Sequence, residues 1–184
     1  MNQQQPPSPE RLAEVSTLLR RVGVRHDIDA QDLVVPGTAR GFQITEKILV
    51  SHWVPAFNSE FLDRFGVKSI LGLDGKLRPD MAQHLGVDKV VAFNMPDGKG
   101  TTPQMICSLV ADLKMLVEQH SPVLVHCNAG KSRSPSVVAA YLTMHEGMAL
   151  SEALSLVRTA RAPERSVSYH EETLSAIRSA MEER

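Results

Sequence analysis

The sequence predicts one α/β domain: a central, mainly parallel sheet of four to five strands with helices on both faces. Three observations predict it. At 184 residues the length suits a single domain. Short apolar runs alternate with helical patterns, an order that implies parallel pairing with crossover helices. No repeat, internal linker or shift in composition divides the chain, and its 42% hydrophobic content is enough for a core.

Each element has its own signal. Residues 1–8 are polar and Pro-rich, and are expected to be disordered. Ser8 and Pro9 suit the N-cap and first turn of a helix over about 9–23, with Leu12, Val15, Leu18, Leu19 and Val22 on one face and Gly23 at its end. Residues 24–41 carry no clear pattern. The core is expected over about 42–182, inside a domain spanning 9–184.

It opens with a strand at 44–50, then a short helix at 60–65 closed by Gly66. A strand at 67–73, a short helix at 79–85 closed by Gly86, and a strand at 89–93 follow. After the loop 94–101, Thr102 and Pro103 suit the N-cap and first position of a helix. Ile106, Leu109, Val110, Leu113, Leu116 and Val117 give that helix one apolar face. The segment 122–125 is a short apolar strand without polar alternation, as expected when both its faces are covered. A helix from Ser134 or Pro135 to His145 is apolar nearly all round. Another helix starts at Ser151, and a last one opens on Ser168-Tyr169-His170-Glu171, a capping-box pattern.

Charge and cysteine usage exclude several function classes. Twenty basic residues against 21 acidic ones leave a net charge of -1, so no basic excess points to nucleic acid. Any anion must be met by a local site. Cys107 and Cys127 cannot build a disulfide framework, and no CxxC or HExxH pattern suggests a metal. No stretch is long and apolar enough to span a membrane, and the N-terminus lacks a signal-like apolar region. A reduced, cytoplasmic setting is the expectation, where a cysteine is a thiol with possible chemistry.

The informative segment is Val123-Leu-Val-His126-Cys127-Asn128-Ala129-Gly130-Lys131-Ser132-Arg133-Ser134: a buried strand, a tight loop and a helix N-terminus. The first N–H groups of a helix lack intrahelical partners and carry the positive end of its dipole. A loop wrapped around that end aims amides at a phosphate-sized anion. Gly130 permits the backbone this requires, and Arg133 adds a planar fork for two phosphate oxygens. At neutral pH an ordinary thiol is only about 3% thiolate. A helix N-terminal field makes thiolate the majority form. Such a field is expected to do two jobs at Cys127, favouring an anionic sulfur and binding the dianion it would attack.

The run His126-Cys127, five residues, Arg133-Ser134 resembles the signature loop of the cysteine-dependent protein tyrosine phosphatase superfamily, and its length and position resemble the small dual-specificity phosphatases. The resemblance covers roughly residues 44–177. It implies that Cys127 is the nucleophile and forms a phosphocysteine. Arg133 would bind substrate and stabilise the transition state, Ser134 would hydrogen-bond the departing thiolate, and His126 would orient the loop from behind. The backbone of Asn128, Ala129, Gly130, Lys131, Ser132 and Arg133 would hold the phosphoryl oxygens without a metal or other cofactor. The substrate would be a phosphorylated protein or small phosphomonoester. A proton donor is also implied, an Asp on a loop some thirty residues earlier. Asp97, in Asn94-Met-Pro-Asp97-Gly98, is the choice; Asp74 is second and Asp112, on a helix, third.

Alternatives stand beside this reading. Ala129-Gly130-Lys131-Ser132 resembles the end of a nucleotide-binding Walker A loop, but residue 125, where its first glycine belongs, is Val. A phosphate-recognition module on the same fold is the non-enzyme alternative. Lys131 resembles the loop lysine of phosphoinositide-directed members, so inositol or sugar phosphates are the second substrate class, although Asn128 departs from the basic residue those members carry after the Cys. The stretch Arg158 to Arg165 could line the site mouth, but departs from the pattern many dual-specificity members show there. For Cys107 packing is expected, with an oxidative disulfide to Cys127 as the sharper alternative. Oligomeric state is not legible in the sequence.

Overall fold

The computed structural model describes residues 41–161 and 167–183. The expected disordered start and the helix over 9–23 lie outside them. Five strands form one sheet in the order β1-β2-β5-β3-β4: β1 (Gly41–Thr45), β2 (Ile48–His52), β3 (Ser69–Gly72), β4 (Lys89–Ala92) and β5 (Val123–Cys127). All neighbours run parallel except β1, which pairs antiparallel with β2 through Phe42 opposite Val50. The expected single strand at 44–50 is thus two. Exposed Glu46 and Lys47 make the turn between them, and the Thr45 hydroxyl accepts from the Lys47 amide at 3.2 Å. No Gly or Asn marks this turn, so the apolar pattern runs across it unbroken.

Helices cover both faces. On one lie α3 (Pro103–Gln119), α4 (Arg133–His145), α5 (Leu150–Arg161) and α6 (Glu171–Glu182). On the other lie α1 (Ser59–Arg64), α2 (Ala82–Leu85) and two 3-10 turns, Val54–Phe57 and Pro79–Met81. The second turn takes the first half of the helix expected at 79–85; the first turn was not anticipated. The sheet divides its residues by parity. Val123, Val125 and Cys127 pack into the layer of α3 to α6, whereas Leu124 joins the opposite cluster with Leu49 and Ile70.

Local chemistry sets the helix starts. Asn58 caps α1 by accepting from the Phe61 amide, and Thr102 caps α3 by accepting from the Met105 amide, with Pro103 at the first position. Ile106, Leu109, Leu113 and Leu116 are fully buried along α3, each worth roughly 1.5–3 kcal/mol of transfer free energy. The expected capping box at Ser168 does not form. The Ser168 amide is committed to the Lys131 carbonyl at 2.9 Å, so α6 starts at Glu171 with His170 as its N-cap and no side-chain cap bond.

Candidate active site

β5 is the central strand, hydrogen-bonded to parallel neighbours on both edges, with its C-terminal end beside those of β2 and β3. Sites in parallel sheets form at that end. Cys127 closes β5 and Arg133 opens α4, leaving residues 128–132 as the loop between them. Among the described residues the carbonyls of Asn128, Lys131 and Ser132 accept backbone bonds, from Trp53, Ser168 and Ser136. Among the described residues, the amides of Ala129 to Ser132 donate no backbone bond. Ser132 caps α4 without a side-chain bond, so the helix end keeps its donors. Gly130 has φ +63, and a Cβ there would sit 2.6 Å from the Ser51 carbonyl carbon and oxygen. The loop lies directly on β2, and only glycine fits both the conformation and the space.

Cys127 is buried, its Sγ 3.4 Å from Ser134 Oγ, and either atom can donate across that contact. Ser134 Oγ is also 3.5 Å from the Ser51 carbonyl. The Arg133 guanidinium reaches across the sheet end, its Nη1 donating to the carbonyls of Leu73 at 3.4 Å and Met95 at 3.2 Å. Its buried Nε and the Ser132 hydroxyl have no partner among the described residues. A buried donor left unpaired costs about 1–3 kcal/mol, so these two donors and the free amides together suit an oxyanion.

His126 faces away from Cys127 and is fully buried, its ring packed over Gly72. A Cβ on residue 72 would come 2.9 Å from its Nε2, so glycine at that position makes room for the ring. Burial pushes its pKa down to about 4, outweighing the pull of the Asp74 carboxylate 3.9 Å from Nδ1. His126 is therefore neutral at pH 7.

The three candidate acids separate clearly. Asp97, half exposed, has Oδ2 3.6 Å from Arg133 Nη2 and Oδ1 3.5 Å from His170 Nε2. Asp74 is buried and engaged: it accepts from the Lys76 amide at 3.2 Å and from Lys76 Nζ at 3.0 Å. Asp112 lies on α3, where partial burial raises its pKa. Among these, Asp97 meets the arginine of the loop.

Two residues near this site escaped sequence reading. Lys76 Nζ donates to Asn128 Oδ1 at 2.9 Å while lying over the Trp53 ring at 5.6 Å, so it joins the loop to the turn after β3. The Asp74-Gly75-Lys76 turn at a parallel strand end was the available signal. His170 had none, being 73 positions from Asp97 in the chain. Arg158, proposed for the site mouth, stacks over Tyr169 at 5.6 Å; Arg165 lies outside the described residues. Cys107 is half-buried and packs against the main core cluster.

The family model for the dual specificity phosphatase catalytic domain matches residues 61–178. The chain belongs to that family. Among curated proteins it is 36% identical over 107 residues to Dual specificity protein phosphatase 1 of Arabidopsis thaliana, covering 58% of this chain and 52% of that protein. It is 27% identical over 119 residues to Dual specificity protein phosphatase 1B of the same plant, covering 65% and 70%. It therefore spans about half the length of the first of these relatives. Among solved structures, Tk-PTP in its active form superposes with a TM-score of 0.64 at 25% identity, over 78% of this chain and 97% of that one. Human DUSP28 gives the same TM-score at 22% identity over 77% and 96%, a likeness of fold. No helix among the described residues is long and apolar enough to cross a membrane, and no three His, Cys, Asp or Glu among them cluster as metal ligands.

Proposed function

We propose that this chain is a phosphatase that hydrolyses phosphomonoesters of phosphotyrosine, phosphoserine or phosphothreonine in proteins, through a phosphocysteine and without a metal. The observation that carries this reading is one cradle with a sulfur at its base: the amides of 129–132, the Arg133 Nε and the Ser132 hydroxyl, none of them with a partner among the described residues, all around the end of β5 that holds Cys127.

In the proposed mechanism the Cys127 thiolate attacks phosphorus in line with the leaving oxygen, forming S–P as P–O breaks. Amides of the loop and the Arg133 fork hold the three equatorial oxygens, the electrostatic work that dominates phosphoryl transfer. Asp97 delivers its proton to the leaving oxygen, then takes one from the water that attacks the phosphocysteine, a contribution of about 10²–10⁴-fold. In that second step the Ser134 hydroxyl donates to the departing sulfur. Neutral His126 packs behind the strand end and fixes the direction of the loop. Substrates of this kind occur in the cytoplasm, the location we propose.

The test is a side-by-side assay with EDTA-treated protein on a phosphotyrosine peptide, a phosphothreonine peptide and a phosphoinositide. Turnover of the peptides that disappears in Cys127→Ser supports the proposal. Exclusive turnover of the phosphoinositide would move the assignment to the second substrate class, which exposed Lys131 in the loop favours. Phosphate binding with no turnover of any substrate would make the chain a recognition module and refute it.

A further inference from the structure

We propose that His170 is a positioning residue for Asp97: it holds the carboxyl over the loop once Arg133 turns to the phosphoryl group. This inference rests on the phosphatase reading, because it concerns the proton donor of that reaction. Asp97 has a partner at each oxygen, Arg133 at Oδ2 and His170 at Oδ1. The guanidinium is the group that must pair with phosphate oxygens, so its contact with Asp97 is the one that substrate competes for. The contact with His170 lies on the other side of the carboxyl and is untouched by that competition.

Three further contacts fix this arrangement. Gly98 lies on the imidazole, and a Cβ there, at φ +94, would come 2.8 Å from His170 Cγ. Thr101 Oγ1, which donates to the Gly98 carbonyl at 2.8 Å, is 3.5 Å from Thr173 Oγ1 on α6. The residues before His170 are anchored as well. The Ser168 amide donates to the carbonyl of Lys131 in the phosphate loop, and the Tyr169 hydroxyl donates to the Leu154 carbonyl on α5 at 3.0 Å. Three consecutive residues thus tie the phosphate loop, helix α5 and the Asp97 loop to one another. His170 makes no side-chain cap bond to α6, so changing it removes the Asp97 contact without uncapping the helix.

The experiment compares His170→Ala, His170→Gln and wild type on phenyl phosphate, a poor leaving group, and 4-nitrophenyl phosphate, a good one. His170→Ala is expected to lower kcat about tenfold on phenyl phosphate, with KM and the nitrophenyl rate within about twofold, because only the poor leaving group needs the acid. His170→Gln, which keeps an N–H donor, should recover most of the loss. In an Asp97→Asn background, His170→Ala should change kcat by less than about twofold, since coupled residues are non-additive. Equal losses on both substrates, or an undiminished loss in that background, would overturn the proposal. Deuterium exchange gives a readout that needs no turnover: the amides of 98–101 should exchange faster in His170→Ala while α3 and α4 are unchanged. Unaltered exchange there overturns the proposed contact. An inactive wild type would overturn the phosphatase reading instead, leaving exchange to decide whether His170 holds the loop.

Discussion

Replacing Gly130 by Ala changes one methyl group and tests the whole cradle. Two costs can be separated. An L-residue at φ +63 costs about 1 kcal/mol in backbone strain, wherever it stands. The second cost is local, because the added Cβ would sit 2.6 Å from the Ser51 carbonyl, against about 3.4 Å for ordinary contact. The loop or β2 must therefore give way by roughly 0.8 Å, the difference between those distances. A misplacement of about 1 Å at a reacting centre costs on the order of 10²-fold in rate. Gly130→Ala is thus expected to lose about 10²-fold in kcat/KM on 4-nitrophenyl phosphate and to weaken inhibition by orthovanadate. Gly66→Ala is the control. Its φ is +59 and nothing lies within 4 Å of the added Cβ, so it carries the strain alone. It should lose about 1 kcal/mol in urea unfolding with activity unchanged. If Gly130→Ala kept kcat/KM within about threefold, or if Gly66→Ala lost as much activity, the argument that this loop rests on β2 in its working geometry would be wrong.

Three other outcomes follow from the same site. Asp97→Asn should slow turnover of phenyl phosphate by about 10²–10³-fold and of 4-nitrophenyl phosphate much less, and equal losses would remove Asp97 from its role. Ser134→Ala removes the hydroxyl 3.4 Å from Cys127 Sγ; a bond to a charged group is worth about 1.5–3 kcal/mol, so hydrolysis of the phosphocysteine should slow about 10–100-fold and a burst should appear in stopped-flow traces. Burial of His126 makes stability depend on pH. Its folded pKa of about 4 lies below the ordinary 6.5, so the neutral ring confers stability that is fully present above pH 6.5 and lost as pH falls towards 4. The loss amounts to about 3 kcal/mol. Urea titrations of wild type and His126→Gln at pH 7 and pH 4 should show the difference between them shift by roughly that amount in favour of the variant at pH 4; a constant difference would refute it.

What the sequence made legible was what local chemistry decides. Thr102 and Pro103 announce the start of α3, and the strand, loop and helix around Cys127 and Arg133 follow from a contiguous run. The errors share a different cause. The turn at Glu46 and Lys47 is made by ordinary charged residues, without the glycine that would have signalled it. The start of α6 is set by a bond from Ser168 to Lys131, a partner 37 positions away, so local capping rules placed it too early. Still larger separations in sequence hid His170 and Lys76. Each acts through a neighbour supplied by folding, and no spacing rule links His170 to Asp97 or Lys76 to Asn128.

The sheet order divides this site by stiffness. Cys127 ends a strand flanked on both edges and covered on both faces, so thermal motion there is confined by several layers of the molecule. Asp97 hangs from the loop after β4, an edge strand with a single neighbour, and its location depends on contacts borrowed from α4 and from the segment leading into α6. On the proposed mechanism, substitutions in the segment leading into α6 would retune how well a proton is supplied while the sulfur and Arg133 stay where they are. If that mechanism holds, divergence in leaving-group preference is open to this architecture through changes around His170, on a separate segment from the loop that carries Cys127.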